Sequence, residues 1–338
     1  MNRIALIRRL ALAGVILGFC VVVFGAYVRL TYAGLGCPDW PGCYGHVTPL
    51  GAQAADAGTL EAPLEVGKAW REMIHRYAAS TLGLIIVAIA LLSFLWRRER
   101  QMPRGLPLTL VALVAFQGLL GMLTVTWKVK PLIVTAHLVF GLLTVSVLWW
   151  LYLGLSRLGA AATAGGGAPA MLKSPAGVLA RRAATLGLIA LVVQILLGGW
   201  TSTNYAAVSC PDLPTCQNQW WPEANFREAF VLWRGLGVNY EGGVLELSAR
   251  VAIHLTHRRG AIAATLALLL AAWSALRARL GGVRGAALAV LAALALQLCI
   301  GSFMVLKGFP LVLATAHNAG AALLLLATLW LNRTVRKS

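Results

Sequence analysis

The sequence predicts an all-α integral membrane protein whose eight transmembrane helices form two pseudo-symmetric four-helix bundles. Three observations predict this fold: long apolar segments, basic residues confined to alternate connections, and motifs that recur in the two halves of the chain. Of the residues, 59% are hydrophobic and 12% are charged, about half the charged share of a soluble domain. Such a composition is typical of a chain that places most of its surface in lipid.

Eight segments are long enough to cross a bilayer, which takes about 20 mostly apolar residues in a helix. They cover residues 9–30, 73–95, 106–127, 132–154, 182–202, 251–274, 284–306 and 311–331. Helices are expected because each one satisfies its own backbone hydrogen bonds in lipid. The first segment is too long for the apolar part of a signal peptide and no small-residue cleavage site ends it, so we expect a retained helix.

The basic residues indicate how the chain is oriented. The net charge of +18 comes from short Arg and Lys runs between apolar segments, a distribution that argues against nucleic-acid binding. If the helices alternate in direction, these runs all fall on one side, which is the positive-inside pattern. The acidic residues, except Glu99, fall on the other side. We therefore expect a multi-pass protein of a bacterial inner membrane with both termini in the cytoplasm.

An internal repeat divides the chain. Cys37-Pro-Asp-Trp-Pro-Gly-Cys43 matches Cys210-Pro-Asp-Leu-Pro-Thr-Cys216. The later matches, in the same order, are His75-Arg76 with His257-Arg258, Gln117 and Gly121 with Gln297 and Gly301, and Thr135-Ala-His137 with Thr315-Ala-His317. Four helices in each half mean that both halves enter from the same side. We predict an N-terminal half (1–155), a cytoplasmic Ala- and Gly-rich linker (156–180) and a C-terminal half (181–338).

The chain has six histidines, and all except His46 lie in or at the edge of the membrane, where ionisable residues are expected to serve a function. His75 and His137 lie near the outer ends of the second and fourth helices, and His257 and His317 hold the same places in the C-terminal half. Two facing histidines on separate helices are suited to hold a flat metal macrocycle by both axial positions. The alternative, packing histidines bonded to neighbouring helices, is disfavoured by two pairs at matched depth.

One polar position differs between the halves. Glu72 lies one helical turn before His75, and His254 holds the same position before His257. The difference favours a chemical role for the carboxylate in one half only. A structural role stays open, because an acid near a helix N-terminus is also favoured by the helix dipole.

Four of the six cysteines form two Cys-x5-Cys pairs in the outer loops. The space outside a bacterial inner membrane is oxidising, so we predict the disulfides Cys37–Cys43 and Cys210–Cys216. Both a structural and a redox-active role are open for these pairs. Cys20 and Cys299 have no counterparts in the repeat and are expected to be buried small apolar residues.

Together these motifs resemble those of the haem A synthases over nearly the whole chain. The resemblance rests on the run from Gly34 to Cys43, on Glu72-x-x-His75-Arg76, on His137, and on the repeat with Cys210, Cys216, His257 and His317. It implies eight helices in two four-helix halves. It also implies an enzyme that oxidises the C8 methyl group of haem O to a formyl group, which makes haem A for terminal oxidases.

The resemblance also implies roles for single residues. His75 and His137 would ligate the substrate haem O in the N-terminal half, with Glu72 as the catalytic residue beside it, positioning water or carrying a proton. His257 and His317 would ligate the iron of a haem B cofactor. His254, Arg76 and Arg258 are candidate partners of the ligands or the haem propionates, with snorkelling to lipid headgroups as the alternative for the arginines.

Two other functions remain open at this point: a non-catalytic membrane haem-binding electron carrier and a haem-delivery protein. Candidate ligands on one membrane side disfavour a carrier across the membrane, and the Glu72/His254 difference favours catalysis. The expected partners are haem O, membrane lipid, an unidentified electron donor, a haem O synthase or oxidase assembly protein, and a second copy of the chain. No nucleic acid is expected.

Overall fold

The computed structural model describes residues 3–51, 65–99, 101–160, 174–278 and 282–336. Within these ranges the fold is all-helical, and the only β-type pairing is two isolated bridges in the cysteine loops. Eight long helices follow one another along the chain. They are α1 (Arg3–Leu30), α2 (Val66–Leu95), α3 (Gly105–Thr126), α4 (Pro131–Ala160), α5 (Pro175–Thr203), α6 (Leu247–Arg277), α7 (Val283–Leu306) and α8 (Leu311–Val335).

These eight long helices are all apolar enough to cross a membrane. The shortest has 22 residues, which at about 1.5 Å per residue covers a hydrocarbon core of about 30 Å. Their outer faces carry large apolar side chains, such as Leu84, Ile262 and Val312, that are exposed on the protein surface. These faces suit lipid. The predicted all-α class and the eight spanning helices are confirmed, and the protein is a multi-pass membrane protein.

Several helices begin earlier than the apolar segments do. Helix α2 begins at Val66 and α6 at Leu247, whereas the apolar segments begin at residues 73 and 251. The added turns contain charged residues such as Arg71 and Arg250. Hydropathy reports only the part of a helix that fits lipid, while Arg, Lys and Glu are good helix formers that extend it.

Helices extend into the predicted linker from both of its ends. Helix α4 continues to Ala160 and α5 begins at Pro175. Ser174 caps α5, since its hydroxyl accepts a hydrogen bond from the Gly177 N–H at 3.1 Å, and proline suits a first helical turn. The rest of the linker, 161–173, lies outside the described residues.

Two apolar clusters form the interior. One lies among α1–α4 and contains Ile7, Leu82 and Leu148. The other lies mainly among α5–α8 and is built of alanines and leucines, including Ala271. Small residues allow close approach of helices in lipid: a Cβ atom at Gly187 on α5 would lie 3.2 Å from the Cβ of Ala271 on α6. Each cluster therefore draws mostly on one predicted half.

The two predicted halves contact each other through α1, α4, α5 and α8. The Trp149 indole donates to the Leu326 carbonyl at 3.0 Å, and the Thr135 and Thr203 hydroxyls are 3.1 Å apart. The long loop after α5 also covers the α3–α4 turn. There the Lys130 ammonium donates to the Arg234 carbonyl at 2.6 Å. The C-terminal half thus supplies part of the surroundings of the N-terminal half.

Candidate functional site

Each of the four candidate ligand histidines packs against a glycine on the preceding helix. A Cβ atom at Gly25 of α1 would lie only 2.8 Å from Cε1 of His75 on α2. The corresponding distances are 3.6 Å for Gly121 and His137, 3.1 Å for Gly198 and His257, and 2.9 Å for Gly301 and His317. The absent side chain makes room for the imidazole. All four histidines therefore lie between helices rather than toward lipid.

A cavity of about 590 Å³ lies in the N-terminal half and is lined by both His75 and His137. Its volume is within the range of sites that bind small molecules and cofactors. The two imidazoles are near enough to interact electrostatically, and the Nδ1 atom of each is buried without a hydrogen-bond partner in the described part of the chain. Buried polar atoms rarely lack partners. Two such imidazoles beside a large cavity fit axial ligation of a macrocycle.

The C-terminal pair is held differently. His257 and His317 are also near enough to interact, but neither lines the cavity. The Gln194 amide nitrogen lies 3.0 Å from His257 Nδ1, and that of Gln297 lies 3.2 Å from His317 Nε2. The structure thus brings both predicted histidine pairs together, and it places glutamine amides on the rings of the second pair. Two buried imidazoles from separate helices are a donor set that suits haem iron.

Glu72 is buried in the wall of the cavity and links it to the first cysteine loop. Its side chain lines the cavity. One carboxylate oxygen accepts a hydrogen bond from the Cys37 N–H at 2.9 Å, and the other forms an ion pair with Arg76. The carboxylate is therefore fixed in direction beside the candidate ligand His75, as a residue that handles a proton there requires.

His254, the counterpart of Glu72, is equally buried. Its ring packs edge-on against Phe309, with the centroids 6.3 Å apart, and its Nδ1 has no hydrogen-bond partner among the described residues. The difference between the halves that the sequence predicts at this position is therefore present inside the protein, not at its surface.

Both predicted disulfides are confirmed, and each lies within its own half: Cys37–Cys43 and Cys210–Cys216. An aspartate that the sequence analysis did not single out shapes each loop. Asp39 accepts hydrogen bonds from the N–H groups of the two residues after the second cysteine, at 2.6 and 2.8 Å. Asp212 does the same in the second loop, at 2.6 and 3.1 Å. The available signal was the Cys-Pro-Asp triplet, because Asp readily bonds nearby backbone in turns.

Arg76 and Arg258 hold these loops against the helices. Arg76 donates to the Asp39 and Gly42 carbonyls at 3.0 and 2.5 Å. Arg258 donates to the carbonyls of their repeat counterparts, Asp212 and Thr215, both at 2.7 Å. Contact with a haem propionate stays a prediction for both arginines, and each already has several acceptors.

The expectation that Cys20 and Cys299 are buried is wrong. Both are exposed, since a small apolar side chain is as stable against lipid as in a core.

Comparisons with known proteins agree with this architecture. The family model described as cytochrome oxidase assembly protein matches residues 8–329. A haem A synthase of Shewanella oneidensis is 40% identical over 321 residues, which cover 92% of this chain and 91% of that protein. A haem A synthase of Rhizorhabdus wittichii is 29% identical, with 93% and 90% covered, and one of Shouchella clausii is 30% identical, with 83% and 79% covered. The chain therefore belongs to the haem A synthase family of cytochrome oxidase assembly proteins.

Proposed function

We propose that this protein is a haem A synthase, which oxidises the C8 methyl group of haem O to a formyl group. The observation that carries the proposal is the cavity of about 590 Å³ that two histidines and a buried carboxylate line together. Haem O is the substrate, and its apolar ring suits walls built of residues such as Leu82, Val114 and Leu138. His75 and His137, from α2 and α4, hold its iron from opposite faces.

Glu72 acts on the substrate side of the cavity. Its two hydrogen-bonded contacts, to Arg76 and to the Cys37 N–H, keep the carboxylate from rotating as the methyl group is oxidised. A fixed carboxylate orients a water molecule or takes up a proton at one of its oxygens. Arg76 positions this group and the first cysteine loop together.

The C-terminal half holds haem B, which supplies a redox-active iron when bound. His257 and His317 would hold its iron. Gln194 and Gln297 lie on their rings and limit the rotation of the imidazoles. The buried His254 lies three residues before His257 and completes this polar cluster.

The proposed location is a bacterial inner membrane, with both termini in the cytoplasm and both cysteine loops outside. The basic runs between helices support this orientation. The two disulfides support it independently, because disulfides persist on the oxidising side of the membrane. The electron donor and any oxidase assembly partner then have access to the haem sites from the membrane or from the outer side.

The test is the pigment that the protein makes. The full chain is expressed in a bacterial host that makes haem O but no haem A, and haems are extracted from the membranes and the purified protein. We expect haem A together with haem B. Haem B alone would indicate an electron carrier, and unchanged haem O would indicate a delivery protein. His46→Ala, in the exposed part of the first loop, is the control and should leave haem A formation unchanged.

A further inference from the structure

Arg29 lies in the last turn of α1 and lines the same cavity as His75 and His137. It is one helical turn beyond Gly25, the residue that packs against His75, and so lies on the same face of α1. Four residues correspond to about 6 Å along the helix. The guanidinium therefore lies at the loop end of the cavity, beyond the level of the histidine ligands.

Two direct contacts orient this guanidinium without neutralising it. Arg29 donates to the Ser202 carbonyl at 2.5 Å, and its Cζ lies 4.2 Å from the centroid of the Tyr205 ring. Tyr205 in turn stacks on Tyr32, with ring centroids 5.8 Å apart. These contacts come from both halves of the chain. They hold the cation at one place in the cavity wall.

No carboxylate of the described residues pairs with Arg29. The ion pairs there belong to other cations, namely Arg3, Lys68, Arg76 and Arg234. Glu241 also lines the cavity and attracts Arg29 from beyond ion-pair distance, while Glu72 is already paired with Arg76. A charge in apolar surroundings is costly without a bound counter-ion. The site is therefore suited to an anion that enters with the ligand.

The repeat shows that this cation is particular to the N-terminal half. With the register of the cysteines, Tyr32 corresponds to Tyr205, and Arg29 corresponds to Ser202, the residue to which it donates. Both halves therefore have a tyrosine at the aromatic position, whereas only the N-terminal half has an arginine at the other. If Arg29 served only to join the two halves, its charged guanidinium would not need to line the cavity.

We infer that Arg29 binds a propionate carboxylate of the porphyrin substrate. The inference rests on the proposed function, since it assigns the substrate to this cavity. A guanidinium and a carboxylate form short charge-assisted hydrogen bonds, about twice as strong as neutral ones. Arg76, the cation that the sequence suggested for this task, has its donors on Glu72 and on loop carbonyls. Arg29 is the guanidinium that faces the cavity without such a set of acceptors.

The test compares haem O with its dimethyl ester, in which both propionates are masked. Purified protein with its resident haem is titrated with each compound, and binding is followed by the Soret difference spectrum. We expect wild type to bind haem O about tenfold or more tightly than the ester. Arg29→Gln should lose this preference by weakening haem O alone, and Arg29→Lys should keep part of it. Arg71→Gln, a cation of α2 outside the cavity lining, is the control and should match wild type.

Three results would overturn the inference. One is an unchanged preference in Arg29→Gln. Another is equal weakening of both compounds, which indicates a structural role. The third is the same loss of preference in Glu241→Gln, because Arg29 would then serve to hold Glu241. Haem A formation by wild type is measured in parallel. If wild type converts haem O to haem A and Arg29→Gln still prefers haem O over its ester, the Arg29 inference alone is contradicted. A propionate preference that needs Arg29 but yields no haem A contradicts the proposed function alone.

Discussion

The two histidine sites share one frame and differ in what touches the imidazole rings. In both halves each histidine packs on a glycine of the preceding helix. In the N-terminal half, Gln117 donates to the backbone carbonyl of His137 at 3.0 Å, and no hydrogen bond joins its amide to the ring among the described residues. Its counterpart Gln297 contacts the ring of His317, and Gln194, which corresponds to Val21, contacts that of His257.

This difference suggests how one architecture serves two tasks. Rings that glutamine side chains hold are preorganised, which favours a ligand that stays bound. Rings that line an open cavity of about 590 Å³ leave space for a ligand that enters and leaves. The C-terminal pair is thus suited to a resident cofactor and the N-terminal pair to a substrate. The predictions below test this division.

The largest expected effect is loss of one haem. His257→Ala or His317→Ala should remove the tightly bound haem B while the fold persists, because each change would delete a proposed ligand of its iron. His75→Ala and His137→Ala should retain haem B and lose haem O binding. Extracted haems and the low-spin absorption spectrum measure both. An unchanged six-coordinate haem B spectrum in the C-terminal variants would contradict the assignment of the cofactor to that half.

Glu72→Gln should slow conversion of haem O by about 100-fold or more, the contribution typical of a residue that transfers protons. Haem O or a hydroxymethyl intermediate should accumulate, as seen by chromatography of extracted haems, while haem B stays at the wild-type amount. The change keeps the side-chain size and one hydrogen-bonding oxygen.

The C-terminal half supplies the control for this variant. Arg258 donates to loop carbonyls, and the residue one turn before it in the place of Glu72 is His254, so no carboxylate of its own helix pairs with it among the described residues. A loop of this kind therefore does not need the carboxylate to stay in place. Glu72→His, which copies the C-terminal half, should also keep haem B and fail to form haem A. Wild-type amounts of haem A from Glu72→Gln would leave Glu72 with a structural role only.

The glycine contacts give a smaller effect with a built-in control. A Cβ atom at Gly25 would lie 2.8 Å from His75, whereas one at Gly121 would lie 3.6 Å from His137, which is an ordinary contact. Gly25→Ala should displace the imidazole and lower haem O occupancy severalfold, since overpacking costs about 1–3 kcal/mol. Gly121→Ala should bind haem O like wild type. Both changes raise helix propensity alike, so equal haem O titrations for the two variants would contradict this steric explanation.

What the sequence predicted follows from local pattern and internal comparison. Apolar length predicts a spanning helix, the repeated cysteine spacing predicts disulfides within each half, and matched histidines predict paired ligands. Long-range contacts were not predictable in the same way. The hydrogen bond between Cys37 and Glu72 joins residues 35 positions apart, and nothing in either motif indicates it.

Arg76 and Arg29 show why long-range contacts determine which role an arginine has. The motif places Arg76 next to the proposed ligand His75, where a propionate and a loop carbonyl are equally good acceptors for a guanidinium. Only the tertiary position of the first cysteine loop selects the carbonyls. Arg29 belongs to no repeated motif, because its counterpart is Ser202, so no match between the halves pointed to it.

The smallest expected effect concerns the two cysteine loops. Partial burial raises the pKa of the Asp212 carboxyl, but hydrogen bonds from the Thr215 hydroxyl and from the N–H groups of Asn218 and Gln217 outweigh it, and the pKa lies below its ordinary value of 3.8. Asp39 makes the equivalent backbone bonds, but Gly42 stands where the second loop has Thr215. The hydroxyl bond is therefore a difference between the loops.

A carboxyl whose pKa is lowered by folding stabilises its loop above the ordinary pKa, and that stabilisation is lost as the pH falls through the folded-state value. The second loop should therefore be intact at neutral pH and should open only below pH 3.8. Amide hydrogen exchange of the loop peptides, corrected for the intrinsic exchange rate at each pH, measures this. Thr215→Ala should move the opening of the second loop to higher pH, and Asp212→Asn should abolish its pH dependence. Loop protection in Thr215→Ala that follows the wild-type pH curve would show that the hydroxyl does not stabilise the carboxylate.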